Sequence, residues 1–426
     1  MLIENESNLL EWKGSGKSNY LKTVSAFSNY QGGKIIFGVE DKTGHVIGLE
    51  NIDEQKLAIE NAINDGIKPR PRFKMESHAV GEKTILILKV FKGSKPPYIH
   101  KNTAYQRQDT STIPVDEVAF WQLYLEGSNL SFDELTTDES AFTFSKLESE
   151  LKSVVGITKL TPDLLKTMGL MKGEKYTNAG MLMSDKNDYR YGIDIVRFGE
   201  TDNIFLERVE IKGQSILTQY ESAMAFFDKW YAPYEEVVGY YRETRIHIPR
   251  EAFREAVANA LIHRDYLLKS NIRITMRDSG IEIISPGGLT TGIGKLAFVE
   301  GLYSQIRNET LAEVLRRLRI IEKFGTGVKR IRETYQPFKE VPHFDVIDGL
   351  AIEVKLPKIN YSKQTTDYTS KVLALINDKI ETTKKEILSE IGGSDTTLKR
   401  SLQNLIKDGK IRRIGSGRAT RYQSIK

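Results

Sequence analysis

Apolar and polar positions alternate along this chain with two periods, and the switches between them mark its elements. Between residues 19 and 30, Tyr20, Val24 and Phe27 recur at helical spacing, so one helix face can bury them. Gly32-Gly33 ends that helix, and the apolar run at 34–39 reads as a strand. With Gly44 in a turn and a second apolar run at 46–49, the spacing predicts a hairpin. Helical spacing returns at 53–67 and stops before Pro69 and Pro71. Residues 84–91 read as a strand, and 98–100 with 103–107 as a last pair. The stretch 120–185 is mainly helical, with helices over 145–155 and 161–168, the latter capped by Thr161-Pro162. Strands follow at 193–198 and 209–211, then an aromatic-rich helix carrying Phe226, Phe227, Trp230 and Tyr231, a density that points to core packing. A helix at 252–268 and strands at 272–276 and 281–284 come next. Residues 357–369 are polar and read as a linker. Three helical signals, 370–376, 383–391 and 394–407, precede two short strands at 410–414 and 420–424 around Gly415 and Gly417.

A chain of 426 residues calls for two to four domains. Hydrophobic content of 39% and charged content of 28% are those of a globular protein. There is no cysteine, which excludes disulfides, cysteine-ligated zinc and a thiol nucleophile. The start of the chain is polar and acidic, without the pattern of a secretory signal, and no run approaches the ~20 apolar residues of a membrane span. A cytoplasmic protein without membrane contact is expected. The net charge is +5, but residues 361–426 hold 14 Lys/Arg against 7 Asp/Glu. A basic tail on a nearly neutral body suggests a polyanionic partner, most simply nucleic acid, RNA or DNA.

The first fifty residues hold the clearest candidate chemistry. Glu6, Glu11 and Lys13 flank one short apolar run, and Asp41 lies just past the next. If the runs are neighbouring strands, the three acids converge at one end of a sheet, where they can hold a divalent cation, Mg²⁺ or Mn²⁺. The alternative is three solvated acids beside strand ends. Gly16-Lys17-Ser18 imitates the end of a phosphate-binding loop, but Glu11 stands where that loop needs its first glycine, so a flexible turn is the better reading. Lys92, Lys95, His100, Lys101 and Arg107, with Tyr98 and Tyr105, form either a basic stacking surface for nucleic acid or a solvated edge hairpin.

The ordered motifs Glu6-Ser-x-x-x-Glu11-x-Lys13, Ala26-Phe27-x-Asn29-x-x-Gly32-Gly33, Gly38-Val39-x-Asp41 and Val46-Ile47-Gly48 resemble the Schlafen/AlbA-type domain, with Pro97-Tyr98, Tyr105-x-Arg107 and Ser111-Thr112 fitting its tail. The resemblance covers about residues 1–118. It implies a metal-dependent, RNA-cleaving site at Glu6, Glu11 and Asp41, with Lys13 on the scissile phosphate or orienting a carboxylate; many bacterial relatives only bind nucleic acid or regulate. A second stretch, Glu255-x-x-x-Asn259 on one helical face, then Gly287-Gly288 and Gly325-Thr-Gly327, resembles the ATPase module of gyrase, Hsp90 and histidine kinases, in the form that follows the Schlafen/AlbA-type domain in bacterial RecG-like proteins. That resemblance implies ATP at Glu255, Asn259, Gly287, Gly325 and Gly327. Ser285 stands where the family places an adenine-binding aspartate, which counts against ATPase activity.

The C-terminal helices and strands resemble a winged helix-turn-helix. Its third helix would offer Thr397, Lys399 and Arg400 to nucleic acid, and its wing Arg412, Arg413, Arg418 and Arg421. The expected fold class is therefore α/β (α+β) and multidomain: a Schlafen/AlbA-type domain at 1–118, a helical connector at 119–244, an ATPase-like α/β sandwich at 245–356 and a winged helix at 366–426. The expected function is a nucleic-acid-binding, metal-dependent endonuclease, RNA before DNA, coupled to the ATPase-like module. The alternative is a non-enzymatic winged-helix transcriptional regulator, ATP-responsive in one version. Both modules occur in symmetric assemblies, so a homo-oligomer is expected.

Overall fold

A computed structural model of the chain describes residues 5–16, 19–41, 43–139, 141–238, 241–290, 294–302, 305–322, 327–379, 381–415, 417 and 420–425. The chain divides into two compact units, Met1–Leu135 with Tyr266–Leu268, and Thr136–Asp265 with Lys269–Lys426.

In the first unit, β1 (Leu10–Lys13) lies parallel to β2 (Gly33–Phe37), and α1 (Leu21–Asn29) connects them. After α2 (Ile52–Gly66) and β3 (Ile67–Lys68), the antiparallel pair β4 (Phe73–Val80) and β5 (Lys83–Val90) completes a sheet of order β1-β2-β5-β4. A second sheet, β3-β6-β7-β8, uses β6 (Ile99–His100), β7 (Thr103–Gln108) and β8 (Ser111–Pro114), and α3 (Glu117–Ser128) follows. The main core joins Tyr20, Val24 and Phe27 of the α1 segment to Ile35, Phe37, Leu86 and Leu88, with Ile59 and Ile63 of α2. A smaller apolar cluster, Leu10, Ile36, Val39 and Ile85, uses alternate residues of the same strands. β2 is therefore buried on both faces, which is why it reads as an unbroken apolar run. The expected hairpin at 34–49 is reduced to one bridge, Val39 to Val46. A strand has two hydrogen-bonding edges, and β1 and β5 occupy both edges of β2.

The second unit begins with α4 (Ser145–Val154), α5 (Pro162–Thr167), the small hairpin β9 (Met171–Lys172) and β10 (Lys175–Tyr176), and α6 (Asn178–Met183). There follow β11 (Ile193–Phe198), β12 (Phe205–Ile211), α7 (Ile216–Trp230), the separate hairpin β13 (Tyr234–Val238) and β14 (Tyr241–Arg245), α8 (Arg250–His263), β15 (Ile272–Arg277) and β16 (Gly280–Pro286). Helices α9 (Lys295–Val299), α10 (Glu309–Arg317) and α11 (Gly327–Tyr335) precede β17 (His343–Ile347) and β18 (Ala351–Pro357). The six-stranded sheet has the order β12-β11-β15-β16-β18-β17, with only β11 and β15 parallel. Helix α8 packs on β16 and β18. Its small residues Ala252, Ala256 and Ala260 are buried, which allows the close approach.

The chain ends in α12 (Tyr361–Lys379), β19 (Glu381–Thr382), α13 (Lys384–Ile391), α14 (Asp395–Lys407), β20 (Ile411–Ile414) and β21 (Arg421–Ser424). These share a core of Val372, Ile376, Ile387, Leu398, Leu402, Leu405, Ile411 and Tyr422. A reciprocal Thr383–Glu386 capping box starts α13, and Ser394 caps α14. The pair of strands expected here gains a third, β19, beside β21. The linker expected at 357–369 is also corrected, because α12 begins at Tyr361. The Tyr361 hydroxyl bonds the backbone of Ile246, and the Ile359 amide donates to the His247 carbonyl, so the entry to the helix is pinned. Among the described residues, no helix is long and apolar enough to cross a membrane.

Candidate functional site

In the first unit, Glu6, Glu11, Lys13 and Asp41 line one cleft together with Lys22, Thr23, Arg107 and Thr112. Strand β1 supplies Glu11 and Lys13, and Asp41 lies four residues beyond its parallel neighbour β2. Glu11 is buried and fully engaged. One carboxylate oxygen accepts from Arg107 at 2.6 Å and from the Thr23 hydroxyl at 2.7 Å, and Lys13 Nζ sits 2.8 Å from the other. Lys13 also reaches Asp41 at 3.0 Å. Burial works against the Lys13 ammonium, but Glu11 and Asp41 outweigh it and hold its pKa above the usual lysine value. Glu6 accepts from the backbone N–H of Trp12 at 2.9 Å.

Three acids and the cations Lys13, Lys22 and Arg107 thus balance in charge around this cleft. Among the described residues, the one group of three or more ligating side chains whose atoms lie within 4.8 Å of one another is His343, Asp345 and Glu353, not Glu6, Glu11 and Asp41. Two of that group are already paired, Asp345 with Lys295 and Glu353 with Lys355. The N-terminal acids share a cleft but, as arranged, do not form a metal cage, because Lys13 stands between Glu11 and Asp41.

The second unit holds another cleft among α8, α11, β16 and β18. Its polar lining includes Glu255, Asn259, His263, Ser285, Thr290 and Arg330, set among apolar residues such as Ile283, Phe344 and Val354. Asn259 Nδ2 donates to Glu255 Oε1 at 3.2 Å, one helical turn away. Arg330 lies 3.7 Å from the other Glu255 oxygen and also pairs with Glu322. Burial raises the Glu255 pKa, against the pull of Arg330 and Asn259. The Ser285 hydroxyl donates to the Ala260 carbonyl at 2.8 Å, so its lone pairs are left as acceptors. Burial, assisted by Arg307, pushes the His263 imidazole down to about 4. A Cβ on Gly327 would lie 2.2 Å from Asn259 Nδ2, so a larger residue there would push the Asn259 side chain aside.

Residues 6–116 match the family model described as Schlafen, AlbA_2, and residues 269–354 match the one described as "Putative ATP-dependent DNA helicase recG C-terminal". The chain carries a Schlafen/AlbA_2 domain and a RecG-C-terminal-like module. The uncharacterized ATP-binding protein UU034 of Ureaplasma parvum serovar 3 is 36% identical over 91 residues, which is 20% of this chain and 26% of that protein. The match thus spans about a quarter of that relative's length. Among solved structures, the DIP2311 protein of Corynebacterium diphtheriae is 21% identical, with 98% of this chain and 92% of that chain covered at a TM-score of 0.48. The N-terminal domain of a RecG-related protein from Nitrosomonas europaea is 23% identical, with 27% of this chain and 84% of that chain covered at a TM-score of 0.22.

Within the Schlafen/AlbA_2 domain, neither alternative offered for Tyr98 and Tyr105, a stacking surface or a solvated edge, is found. Tyr98, His100, Tyr105 and the Arg107 side chain are buried. The Asn29 amide bonds the carbonyls of Tyr98 and Tyr105 and accepts from the Tyr98 amide, which draws this segment onto α1. Arg107 proves to be the partner of Glu11, 96 positions away, a pairing that no local pattern announces.

In the RecG-C-terminal-like module, Glu255, Asn259 and Gly327 line the cleft, whereas Gly287 does not. A Cβ on Gly287 would lie 2.6 Å from that of Asp265, so this glycine serves the packing of the turn against the end of α8. Its neighbour Gly288 lines the cleft instead. Gly325 lies outside the described residues, as does Arg418. In the C-terminal segment, Thr397 is tied into the cap of α14, and Lys399 pairs with Asp395 at 2.6 Å. Arg400, on the same helix, is half-buried. Arg412 and Arg421 project from one face of the β20–β21 hairpin and Arg413 from the other, by register.

Proposed function

We propose that this chain is a nucleic-acid-binding protein that takes ATP in the α8 cleft. The observation that carries the nucleotide is the donor set of that cleft. Asn259, Glu255 and an acceptor-only Ser285 face one apolar space, and the Thr290 hydroxyl is buried in it without a partner. An orphaned buried hydroxyl fits a site whose partner is a ligand. The likeness to a relative named as ATP-binding and to a helicase-derived module supports the same reading. Ser285 would accept from the adenine amino group, Asn259 would hold the magnesium ion of the nucleotide, and Glu255 would take a proton from attacking water. Bound ATP supplies a phosphoanhydride that can be cleaved or used as a switch. The test is titration of the full chain with a fluorescent ATP analogue and Mg²⁺. Binding that weakens at least ~10-fold in Asn259→Ala, about 1.4 kcal/mol, supports the reading. Equal binding by a folded Asn259→Ala, or none by wild type, refutes it.

A second reading keeps the metal-dependent nuclease, with RNA preferred to DNA. It is favoured by one observation: Glu6, Glu11, Lys13 and Asp41 line a single cleft. As arranged, the acids do not meet around a common point, because Lys13 lies between Glu11 and Asp41. Labelled tRNA, single-stranded RNA and duplex DNA, each with Mn²⁺, Mg²⁺ or EDTA, give the assay. Cleavage that requires both metal and Asp41 upholds the nuclease. Absence of cleavage alongside salt-dependent binding leaves a binding or regulatory protein. The three helices and three-stranded sheet from α12 to β21 support a winged helix as a duplex-contacting part.

A further inference from the structure

One face of the β1-β2-β5-β4 sheet carries an arrangement that neither cleft uses. Lys34 of β2 stands directly opposite Lys89 of β5, and Lys89 directly opposite Lys74 of β4. Three exposed lysines therefore form one row across three adjacent strands, about 10 Å long at ~4.8 Å per strand. Arg72 precedes Lys74 by two residues and Phe91 follows Lys89 by two, so both project from the same face. The Phe91 amide donates to the Arg72 carbonyl, which holds the two segments side by side. The Arg72 guanidinium lies 5.6 Å and the Lys89 ammonium 5.3 Å from the centre of the Phe91 ring. The ring thus gathers two cations beside the row.

Nothing in the packing requires this charge. Like charges directly opposed across strands destabilise a sheet. Glu76 compensates Lys74 at 2.6 Å, whereas Lys34 and Lys89 enter no ion pair among the described residues. The same face is apolar around Ile36 and Ile85, where it is buried with Leu10 and Val39. Two cations at one aromatic ring, with Lys34 and the Glu76-paired Lys74 in the adjoining row, form a surface complementary to a polyanion. A flat sheet face suits an extended strand, whereas sequence reading in a duplex needs an element that enters a groove.

We infer that the row Lys34, Lys89 and Lys74, with Arg72 and Lys89 at the Phe91 ring, binds the phosphodiester backbone of a single-stranded nucleic acid. This contact rests on the nucleic-acid reading above but lies outside both the acidic cleft and the C-terminal basic segment. The test is fluorescence anisotropy with labelled oligo(U) and oligo(dT) across a range of salt, using the full chain, Lys34→Gln/Lys89→Gln, and Lys399→Gln/Arg400→Gln. Each lost backbone contact lowers the salt slope by about 0.7, a factor of about five in affinity at ~0.1 M salt. The Lys34→Gln/Lys89→Gln variant therefore binds roughly 25-fold more weakly, with a slope shallower by about 1.4. Its melting temperature is unchanged or higher, because a repulsion is removed. Wild-type affinity and slope in that variant overturn the inference, and binding lost only in Lys399→Gln/Arg400→Gln moves the strand to the C-terminal segment; the nucleic-acid reading survives both. A wild-type chain that binds neither oligonucleotide, including one that binds only anionic vesicles, overturns the inference, and failure on duplex DNA as well overturns the wider reading.

Discussion

Replacing Glu11 by glutamine removes a negative charge from a carboxylate only 6% exposed. That carboxylate accepts from Arg107 at 2.6 Å, Thr23 at 2.7 Å and Lys13 at 2.8 Å. Arg107 is itself shielded and would keep its bonds to the Thr112 hydroxyl and the Ser7 carbonyl, so its charge would stay buried without its counter-charge. Breaking a buried pair from one side costs roughly 3–5 kcal/mol. Because the glutamine oxygen still accepts one bond, the lower end, ~3 kcal/mol, is expected. For a unit of this size, that is a fall in melting temperature of about 10 °C. The assay is thermal unfolding of wild type, Glu11→Gln, Arg107→Gln and the double variant, arranged as a cycle. The double variant should be less destabilised than the sum of the singles, with a coupling of at least ~1.5 kcal/mol. Single-variant losses below ~0.5 kcal/mol, or additivity within that margin, would refute the ion pair as the anchor of this cleft. The result also governs the nuclease assay. Asp41 is half exposed and pairs with Lys13, so Asp41→Asn should cost no more than ~1 kcal/mol and is the cleaner probe of cleavage.

Three further outcomes are expected. Ser285→Ala removes the acceptor from the cleft together with the hydroxyl's bond to the Ala260 carbonyl. ATP affinity should fall about five-fold, near the ~1 kcal/mol of one neutral hydrogen bond, with the fold intact by circular dichroism; unchanged affinity sinks the adenine contact. Gly327→Ala brings a methyl group to 2.2 Å from the Asn259 amide, so the Asn259 side chain must turn aside; nucleotide titration should show weaker binding while the melting temperature changes little. His263 titrates near 6.5 when unfolded and about 4 when folded. The unfolded chain binds more protons between these values, so the contribution is full above pH 6.5 and lost as pH falls to 4. His263 is partly exposed, so solvent screening keeps the effect below the ~3 kcal/mol that the shift would supply. A His263→Gln variant whose stability falls with acid as steeply as wild type would refute this.

Much of the local structure was legible in the pattern of residues. Helical spacing marked α1, α8, α13 and α14, and the apolar run marked β2, because each depends on residues within a few positions of one another. Glu255 and Asn259 were readable as a pair for the same reason, one helical turn apart. The N-terminal acids were readable as sharing one end of a sheet, since strand direction places Glu11 and Asp41 there. Polar composition misled at 361–369, where helix rather than linker is found, because the anchor of α12 is a tyrosine bonded 115 residues away.

What the sequence by itself determined is therefore the periodicity and chemistry of each segment: which face is apolar, where caps fall, and which side chains carry charge. Only the tertiary structure decided which charges meet. It set Arg107 rather than a free acid beside Glu11, turned Tyr98 and Tyr105 inward, and aligned Lys34, Lys89 and Lys74 in one row. The reason is physical. Helix and strand patterns repeat over two to four residues, whereas register and partner choice arise from pairings between distant segments, and those pairings decide whether a charged side chain faces water, a counter-charge or its own kind.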